Sequence, residues 1–392
     1  MGRTVTLVLV DETGALLGAL PPFEVSVPWW QEVDELVTGV RARDGLQVQV
    51  LRLLDGVAAD DRSAGGEVRY LAQVSGRAPV GLTPAEVDLS PQPHRAAYAE
   101  PGGPAESTGW AISALAALGS PGAVAVQRRS WNLSAIWRLD VAGAPVAWLK
   151  QVPRFFWHEP AVLRLVSGVS PGLVPPLLAA GEQGRMLLAH LPGEDGYGAG
   201  AQACAGIAAE FHPVQAHFAG RDTELLASGM PDRRLAVELF APVAQPYLAE
   251  IDGLAELIDT LPRRLDDIAA CGLPDTLVHG DLHPGNTRIG DGDPVIMDWG
   301  DSSLGCPALD ILRLTEELPA AQAAELIASW GLRWRTAVPG SDPVRAAELM
   351  RPVAGLYGAL IYSEFLARIE PAEHPYHRSD VPSSLRSAVE RA

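Results

Sequence analysis

The stretch that most constrains this chain is Leu277-Val278-His279-Gly280-Asp281-Leu282-His283-Pro284-Gly285-Asn286, followed by Val295-Ile296-Met297-Asp298-Trp299-Gly300. An apolar run delivers a His-Gly-Asp corner, and Asn286 lies five residues beyond Asp281. The pattern predicts a short strand, a tight turn at Gly290-Asp291-Gly292-Asp293 carrying the Asp-Gly hairpin signal, and a second strand ending in Asp298. Folding the hairpin back brings Asp298 toward Asn286 and Asp281. Two carboxylates and an amide oxygen at one end of two strands make a hard-oxygen cluster suited to Mg²⁺ and phosphate. A carboxylate left off the metal can take a proton from a hydroxyl. The bland alternative is a hairpin whose Asp and Asn side chains only cap turns.

This constellation resembles the catalytic core of the aminoglycoside phosphotransferase family, small-molecule kinases of the protein-kinase-like fold. The family pattern H-G-D-x-x-x-x-N, then D after an apolar strand, is matched by His279-Gly280-Asp281 to Asn286 and by Asp298. The resemblance implies that Asp281 is the catalytic base and that Asn286 and Asp298 hold Mg²⁺. It makes His279 a brace for the loop. Gly305-Cys306-Pro307-Ala308-Leu309-Asp310 resembles the family's G-x-P-x-x-D segment, in which Asp310 ties the loop to the next helix. His283, one step along the loop, faces solvent or substrate. The alternation of His279, Asp281 and His283 could suggest Zn²⁺, but nothing supplies the other ligands of a closed site.

Lys150 is the only lysine; every other basic residue counted with it is arginine. A chain that keeps one lysine suggests a place where a compact ammonium must reach phosphate oxygens and a guanidinium will not serve. Its context agrees. Strands are predicted at Ala123–Gln127, Ala135–Asp140 and Pro145–Gln151, after a helix at Ser107–Leu118 capped by Ser107, and Lys150 lies on the third strand. The resemblance pairs Lys150 with Glu159 at the start of the next helix, a pair that holds the α- and β-phosphates. Glu159 could equally be an acid favoured by the helix dipole. The segment Arg128–Ser134 stands where this fold covers the nucleotide phosphates. It has no glycine, so Ser130 and Asn132 are the candidate contacts, and a plain hairpin loop is the alternative. Met186–Leu191 reads as a strand entering the interlobe hinge, with adenine against backbone groups near Ala189 and Leu191. The sequence does not separate ATP from GTP.

The length of 392 residues predicts more than one domain, and a hydrophobic fraction of 47% can fill a sizeable core. The expected fold class is α+β: a protein-kinase-like bilobal fold, with a β-rich small lobe and a mostly helical large lobe, preceded by an extra α+β domain. The expected boundaries are 1–78 for that domain, 79–106 for a Pro/Gly/Ala-rich linker, 107–191 for the small lobe and 192–392 for the large lobe. In the first part, strands at Thr4–Val10, Ala15–Leu20, Leu46–Leu54 and Glu67–Val74 flank a helix opened by Pro28. The outline loosely resembles a Nudix-type domain. The Arg-Glu and Glu-Glu pairs of that family's helix are missing, so the expectation is a structural or substrate-covering appendage without hydrolase activity.

A formal net charge of −18 argues against nonspecific nucleic-acid binding. Three scattered cysteines without a Cys-x-x-Cys point to a reducing compartment, and no apolar run is long enough to span a bilayer. The expectation is a cytoplasmic protein with no membrane or nucleic-acid partner and of open oligomeric state. The C-terminal helices would line the acceptor pocket, with Glu364, Glu373, Tyr376 and Asp380 as candidate substrate contacts; an exposed acidic tail is the alternative. The expected activity is transfer of the γ-phosphoryl of ATP, or GTP, with Mg²⁺, to a hydroxyl of a small molecule such as an aminoglycoside, amino sugar, other sugar or related metabolite. Two rivals are a non-catalytic nucleotide-binding protein of the same fold and a nucleotide-diphosphate hydrolase run by the N-terminal domain.

Overall fold

The computed structural model of the chain describes residues 2–57, 64–76, 79–290 and 292–392. Asp291 of the expected hairpin turn, part of the loop after residue 57 and the expected boundary at residue 78 lie outside the described residues. The described residues gather into two compact units. The first draws on 1–155, 177–190 and 366–378, and the second on 156–176, 191–365 and 379–392. Among the described residues, no helix is long and apolar enough to cross a membrane.

The first unit is built on two five-stranded sheets. The N-terminal sheet comprises β1 (Arg3–Val10), β2 (Leu16–Ala19), β3 (Phe23–Val25), β4 (Gln47–Val57) and β5 (Gly66–Ser75). Its order is β2-β1-β5-β4, with β3 also paired to β1. Period-two alternation explains how both faces of β1 are covered. Val5, Leu7 and Leu9 join a core with Trp30, Leu36 and Val40, while Val8 and Val10 point the other way, toward Leu51 and Leu71. Helix α1 (Asp34–Asp44) crosses the first face and ends at Gly45, whose left-handed backbone (φ 66°) lets its N–H reach Arg41 O. The helix does not open at Pro28 as the sequence suggests. Buried Arg3 donates to the carbonyls of Val27, Trp29 and Glu32, which keeps that segment out of a helix. The acids near α1 are engaged too: Glu32 with Arg129, Asp34 with Arg128 at 2.7 Å, and Glu35 with the N–H of Ser26 at 2.9 Å.

The second sheet comprises β6 (Val124–Trp131), β7 (Ser134–Val141), β8 (Ala144–Gln151), β9 (Leu177–Ala180) and β10 (Arg185–Ala189), in the order β6-β7-β8-β10-β9. Helix α2 (Gly103–Ala117) packs on it through Ala111 and Leu115, against Trp137, Leu149 and Leu187. The helix starts at Gly103, before the expected cap. Ser107 is therefore inside the helix and buried, donating to Gln151 Oε1 at 2.6 Å. In the chain that connects the two sheets, Thr83 exchanges backbone hydrogen bonds with Ala19 at the β2 edge, and Tyr98 and Ala99 are buried. Gln127 of β6 acts as a strand mimic, since its amide accepts from Val50 N and donates to Val50 O, both at 2.8 Å.

The loop expected at Arg128–Ser134 is shorter than the sequence suggests. Strand pairing runs from Val124↔Asp140 to Trp131↔Ser134, leaving Asn132-Leu133 as the turn. Ser130 is buried, its hydroxyl turned to Val50 O and Leu51 O at 3.2 Å. Asn132 donates its backbone N–H to Glu373 at 2.9 Å, and its Oδ1 accepts from Glu370 N at 3.1 Å. Both side chains, expected at the nucleotide, are thus occupied by neighbours within this unit. Tyr376, expected at the acceptor, lies in the apolar core with its ring 4.9 Å from that of Trp30.

The second unit is mostly helical. Its main helices are α3 (Glu159–Val169), α4 (Ala201–Phe218), α5 (Asp222–Ala227), α6 (Val237–Ala244), α7 (Leu254–Ala270), α8 (Ala308–Leu314), α9 (Ala320–Ala337) and α10 (Pro343–Leu366). Strands β11 (Glu194–Asp195), β13 (Thr287–Ile289) and β14 (Val295–Ile296) form one small sheet, and β12 (Thr276–Val278) pairs with β15 (Ser303–Gly305) in another. These two small sheets carry the His-Gly-Asp stretch.

Burial pushes the Glu373 carboxyl up to about 8, although its hydrogen bonds from Asn132 pull the other way. A carboxyl raised on folding contributes most while protonated, and that contribution is lost as pH rises through about 8. The thermal unfolding midpoint should therefore fall between about pH 6 and about pH 9 more steeply in the natural protein than in Glu373→Gln. Parallel pH profiles for the two proteins in scanning calorimetry would contradict this.

Candidate active site

The site is organised by one buried carboxylate. Asp310, in the first turn of α8, accepts from His279 N at 2.9 Å, Gly280 N at 3.0 Å and Gln215 Nε2 at 2.9 Å. Strand β12 therefore cannot simply run on, and the backbone corners at Gly280. That residue has φ 89°, and a Cβ there would lie 2.3 Å from Asp301 O, so glycine alone fits. Burial pushes the Asp310 carboxyl up, the backbone N–H groups of His279 and Gly280 pull it down, and the balance lies at about 7.

His279 is wholly buried. Its Nε2–H donates to Met297 O at 2.9 Å, and its Nδ1 accepts from Asp281 N at 3.3 Å. Those two partners require the neutral tautomer with the proton on Nε2. Burial also lowers its basicity. The ring packs edge-on against Trp299, centroids 4.7 Å apart. His279 thus ties the loop holding Asp281 to the strand end that delivers Asp298.

Asp281 is half-buried, and both its oxygens have partners. Oδ1 accepts from Arg313 Nε at 2.9 Å, and Oδ2 accepts from Asn286 Nδ2 at 3.0 Å. His283 Nε2 lies 3.5 Å from Oδ2. Because His283 Nδ1 accepts from Gly285 N at 3.1 Å, its proton sits on Nε2, facing the carboxylate. Burial acts to raise the Asp281 carboxyl, but the His283 hydrogen bond and the Arg313 charge outweigh it and hold the group well below the usual carboxylate range. A group so held stays ionised at neutral pH.

Asn286 and Asp298 are brought together by β-pairing. Thr287 opposes Ile296, and Met297 N donates to Asn286 O at 2.8 Å, so the two side chains leave neighbouring points of one ladder. Asp298 is exposed and adopts a left-handed backbone (φ 61°), a conformation a non-glycine residue holds only when its surroundings impose it. Glu159, the first residue of α3, helps impose it: its Oε1 accepts from Trp299 N at 3.2 Å. The donor set fits Mg²⁺. The Asn286 amide nitrogen is engaged with Asp281, which leaves its oxygen for a metal, and Asp298 adds an exposed carboxylate. Mg²⁺ typically takes one or two such protein oxygens and completes its shell with phosphate and water. Among the described residues, no group of three or more His, Cys, Asp or Glu side chains is placed to hold a metal.

The remaining expected residues fall as follows. Lys150 is nearly buried on β8, the central strand of its sheet, between Ile136 and Met186. Ala189 ends β10 in the first unit, and the chain passes to the second unit between His190 and Leu191. Glu364, expected at the acceptor, pairs with Arg233 at 2.6 Å, so its charge is already compensated within the second unit. The motifs do not single out Arg313. The available signal was its place one helical turn after Asp310, which aims it at the same loop.

A Gly280→Ala substitution should strain the corner by about 1–3 kcal/mol and misplace Asp281. Expected results are a lower melting temperature and a loss in kcat of about tenfold or more; steady-state kinetics at unchanged kcat would show that the corner does not govern the base.

The family described as the phosphotransferase enzyme family, APH, matches residues 147–349. No curated protein matches the chain. Similar solved structures include the GDP complex of wild-type aminoglycoside 2'-phosphotransferase-IIIa, at 15% identity over 73% of this chain and 98% of that one, with TM-score 0.51. Macrolide 2'-phosphotransferase MphH from Brachybacterium faecium gives 20% identity, 70% and 97% coverage and TM-score 0.46. A choline/ethanolamine kinase family protein from Mesorhizobium loti gives 16% identity, 73% and 98% coverage and TM-score 0.48. The sheet-rich first unit and helical second unit accord with the protein-kinase-like fold of the first of these. With more than half of its length matched by the family, the chain belongs to the APH phosphotransferase enzyme family and is a phosphotransferase with an alcohol group as acceptor.

Proposed function

We propose that the protein transfers the γ-phosphoryl group of ATP or GTP to a hydroxyl of a small molecule, in the range of aminoglycosides, amino sugars, other sugars and related metabolites. The observation that carries this reading is the Asp281–Asn286–Asp298 arrangement, braced through His279 and Asp310. Phosphoryl transfer asks a protein mainly for positioning and for charge neutralisation. Asp281 would accept the hydrogen bond of the acceptor hydroxyl and aim its oxygen at phosphorus. Arg313 and Asn286 fix the carboxylate plane, so that orientation is set before substrate arrives. Asn286 and Asp298 would hold Mg²⁺, which when bound neutralises charge on the β- and γ-phosphates. Lys150 would neutralise the α- and β-phosphates. Glu159 serves the residue following Asp298 and would also brace Lys150. His283, whose Nε2 lies 3.5 Å from Asp281 Oδ2, would meet the acceptor beside the base.

In this reading the N-terminal region is an accessory to the kinase-like part. The acids near α1 are engaged with arginines and backbone N–H groups, which supports a non-hydrolytic role.

The first test is a library screen for nucleotide consumption with ATP and with GTP, followed by mass spectrometry of the product. A product heavier by one phosphoryl group supports the reading; nucleotide hydrolysis alone, across a broad alcohol library, would oppose it. Given an acceptor, Asp281→Ala should lower kcat by about 10²–10⁴-fold with nucleotide affinity nearly kept. Unchanged turnover would remove Asp281 from the base role. Lys150→Ala should instead weaken nucleotide binding by about ten- to a hundredfold, read by calorimetric titration with Mg·ATP.

A further inference from the structure

The β6–β7 hairpin stands where a kinase-like fold places its phosphate lid, and a lid must move. Its surroundings oppose motion at every step. Val33 N donates to Arg128 O at 3.0 Å and Ser130 N donates to Gln31 O at 3.1 Å, so the segment before α1 pairs along β6. The Gln127 amide and the Ser130 hydroxyl grip Val50 and Leu51 of β4. Trp137 Nε1 donates to Gln49 Oε1 at 3.0 Å, and Tyr98 OH donates to Trp131 O at 2.8 Å.

The tip is covered by chain from the far end of the sequence. After α10, residues 366–378 rejoin the first unit. There the fully buried Glu373 accepts from Asn132 N, and Glu370, itself held by Arg95 at 2.9 Å, donates its N–H to Asn132 Oδ1. Tyr376 anchors the same segment beside Trp30. A glycine-rich lid keeps its tip N–H groups for phosphate and its backbone loose. Here the turn has no glycine, Asn132 is buried, and its N–H and its amide oxygen are both engaged. Opening it would break several hydrogen bonds together.

We propose that the N-terminal sheet and the segment 366–378 clamp the β6–β7 hairpin as a fixed brace for the Lys150 sheet, so that the nucleotide phosphates are held without closure of this hairpin. The role of the N-terminal region is then mechanical: it removes the lid from the binding cycle. Glu373 is a positioning residue for the hairpin, not a phosphate contact. The proposal rests on the nucleotide-dependent reading above.

Amide hydrogen exchange of the full-length protein, with and without saturating Mg·ATP, tests it directly. Mg·ATP should slow exchange in residues 146–151 around Lys150 and leave 128–134 unchanged. Glu373→Ala should speed exchange at 128–134, and Glu373→Gln should restore slow exchange. Nucleotide-dependent protection at 128–134 would overturn the brace, as would exchange at 128–134 in Glu373→Ala no faster than in the natural protein. The protection measurement needs only the natural protein, so it decides the matter even where Glu373→Ala does not fold. If Mg·ATP protects neither segment and Lys150→Ala binds it as the natural protein does, the nucleotide reading itself fails, and the brace falls with it.

Discussion

The catalytic loop depends on the hydrogen bonds that Asp310 receives from His279 N and Gly280 N. Both donors are at the point where β12 stops pairing and the chain turns, so neither has a strand partner to fall back on. A buried N–H left unmet costs roughly 1–3 kcal/mol, which makes the corner conditional on this one side chain. Asp310 is also part of α8, and Arg313 follows it by one turn. The carboxylate that shapes the loop therefore also fixes the helix that presents a guanidinium to Asp281. Asp281 and its counter-charge share a single anchor, which is how a half-buried carboxylate can be held ionised and oriented.

The second constraint is how Asp298 is delivered. Its strained backbone is stable only because both neighbours are fixed. Met297 offers its N–H to Asn286 and its carbonyl to His279, while Trp299 is buried, with its N–H on Glu159 and its indole Nε1–H on Ile296 O. Two apolar, fully engaged residues flank one exposed carboxylate. Rigid flanks and an open centre suit a metal ligand, because the entropy of placing the oxygen is lost on folding and not again at each binding event. His279 then does double duty: its two ring nitrogens join the Asp281 loop to the Asp298 strand end, so the spacing of Asp281 and Asp298 is set by one imidazole.

What could be read from the sequence follows from what is local. His279, Asp281, Asn286, Asp298 and Asp310 lie within one short stretch, and the turn chemistry and strand lengths between them fix their order in space. Lys150 stood out because composition isolates it. Arg313 was within reach of the same logic, one helical turn past Asp310. Ser130, Asn132 and Tyr376 were not, since their neighbours are supplied by segments far away in the chain: Val50 from the N-terminal sheet, Glu373 from the segment after α10, Trp30 from the loop before α1. The same holds for the start of α1. Pro28 is a good opening residue, but Arg3 takes the carbonyls that a helix would need, and a buried guanidinium with three backbone acceptors outweighs a local preference. Hairpin length escapes a local reading for a related reason. Arg128 and Arg129 look like loop residues, yet Asp34 and Glu32 meet them across the sheet edge and keep them in strand.

The lone lysine bears on how the two kinds of cation divide the work. Arginine here makes fixed contacts through a planar fork: Arg3 on three carbonyls, Arg138 on both oxygens of Asp140, Arg233 on both of Glu364, Arg313 between Asp281 and Glu316. Each is a permanent bond that the fold closes on. A guanidinium presented to a triphosphate would bring the same geometric demand to a ligand that must enter, shift its charge during transfer and leave. An ammonium makes no planar demand and follows the charge as it moves. Placing that ammonium on the central strand of a sheet braced on its outer edge by an entire additional sheet gives it the one quality it lacks by itself, a fixed origin. In the clamped arrangement proposed above, the N-terminal region would lend that stiffness to the sheet carrying Lys150.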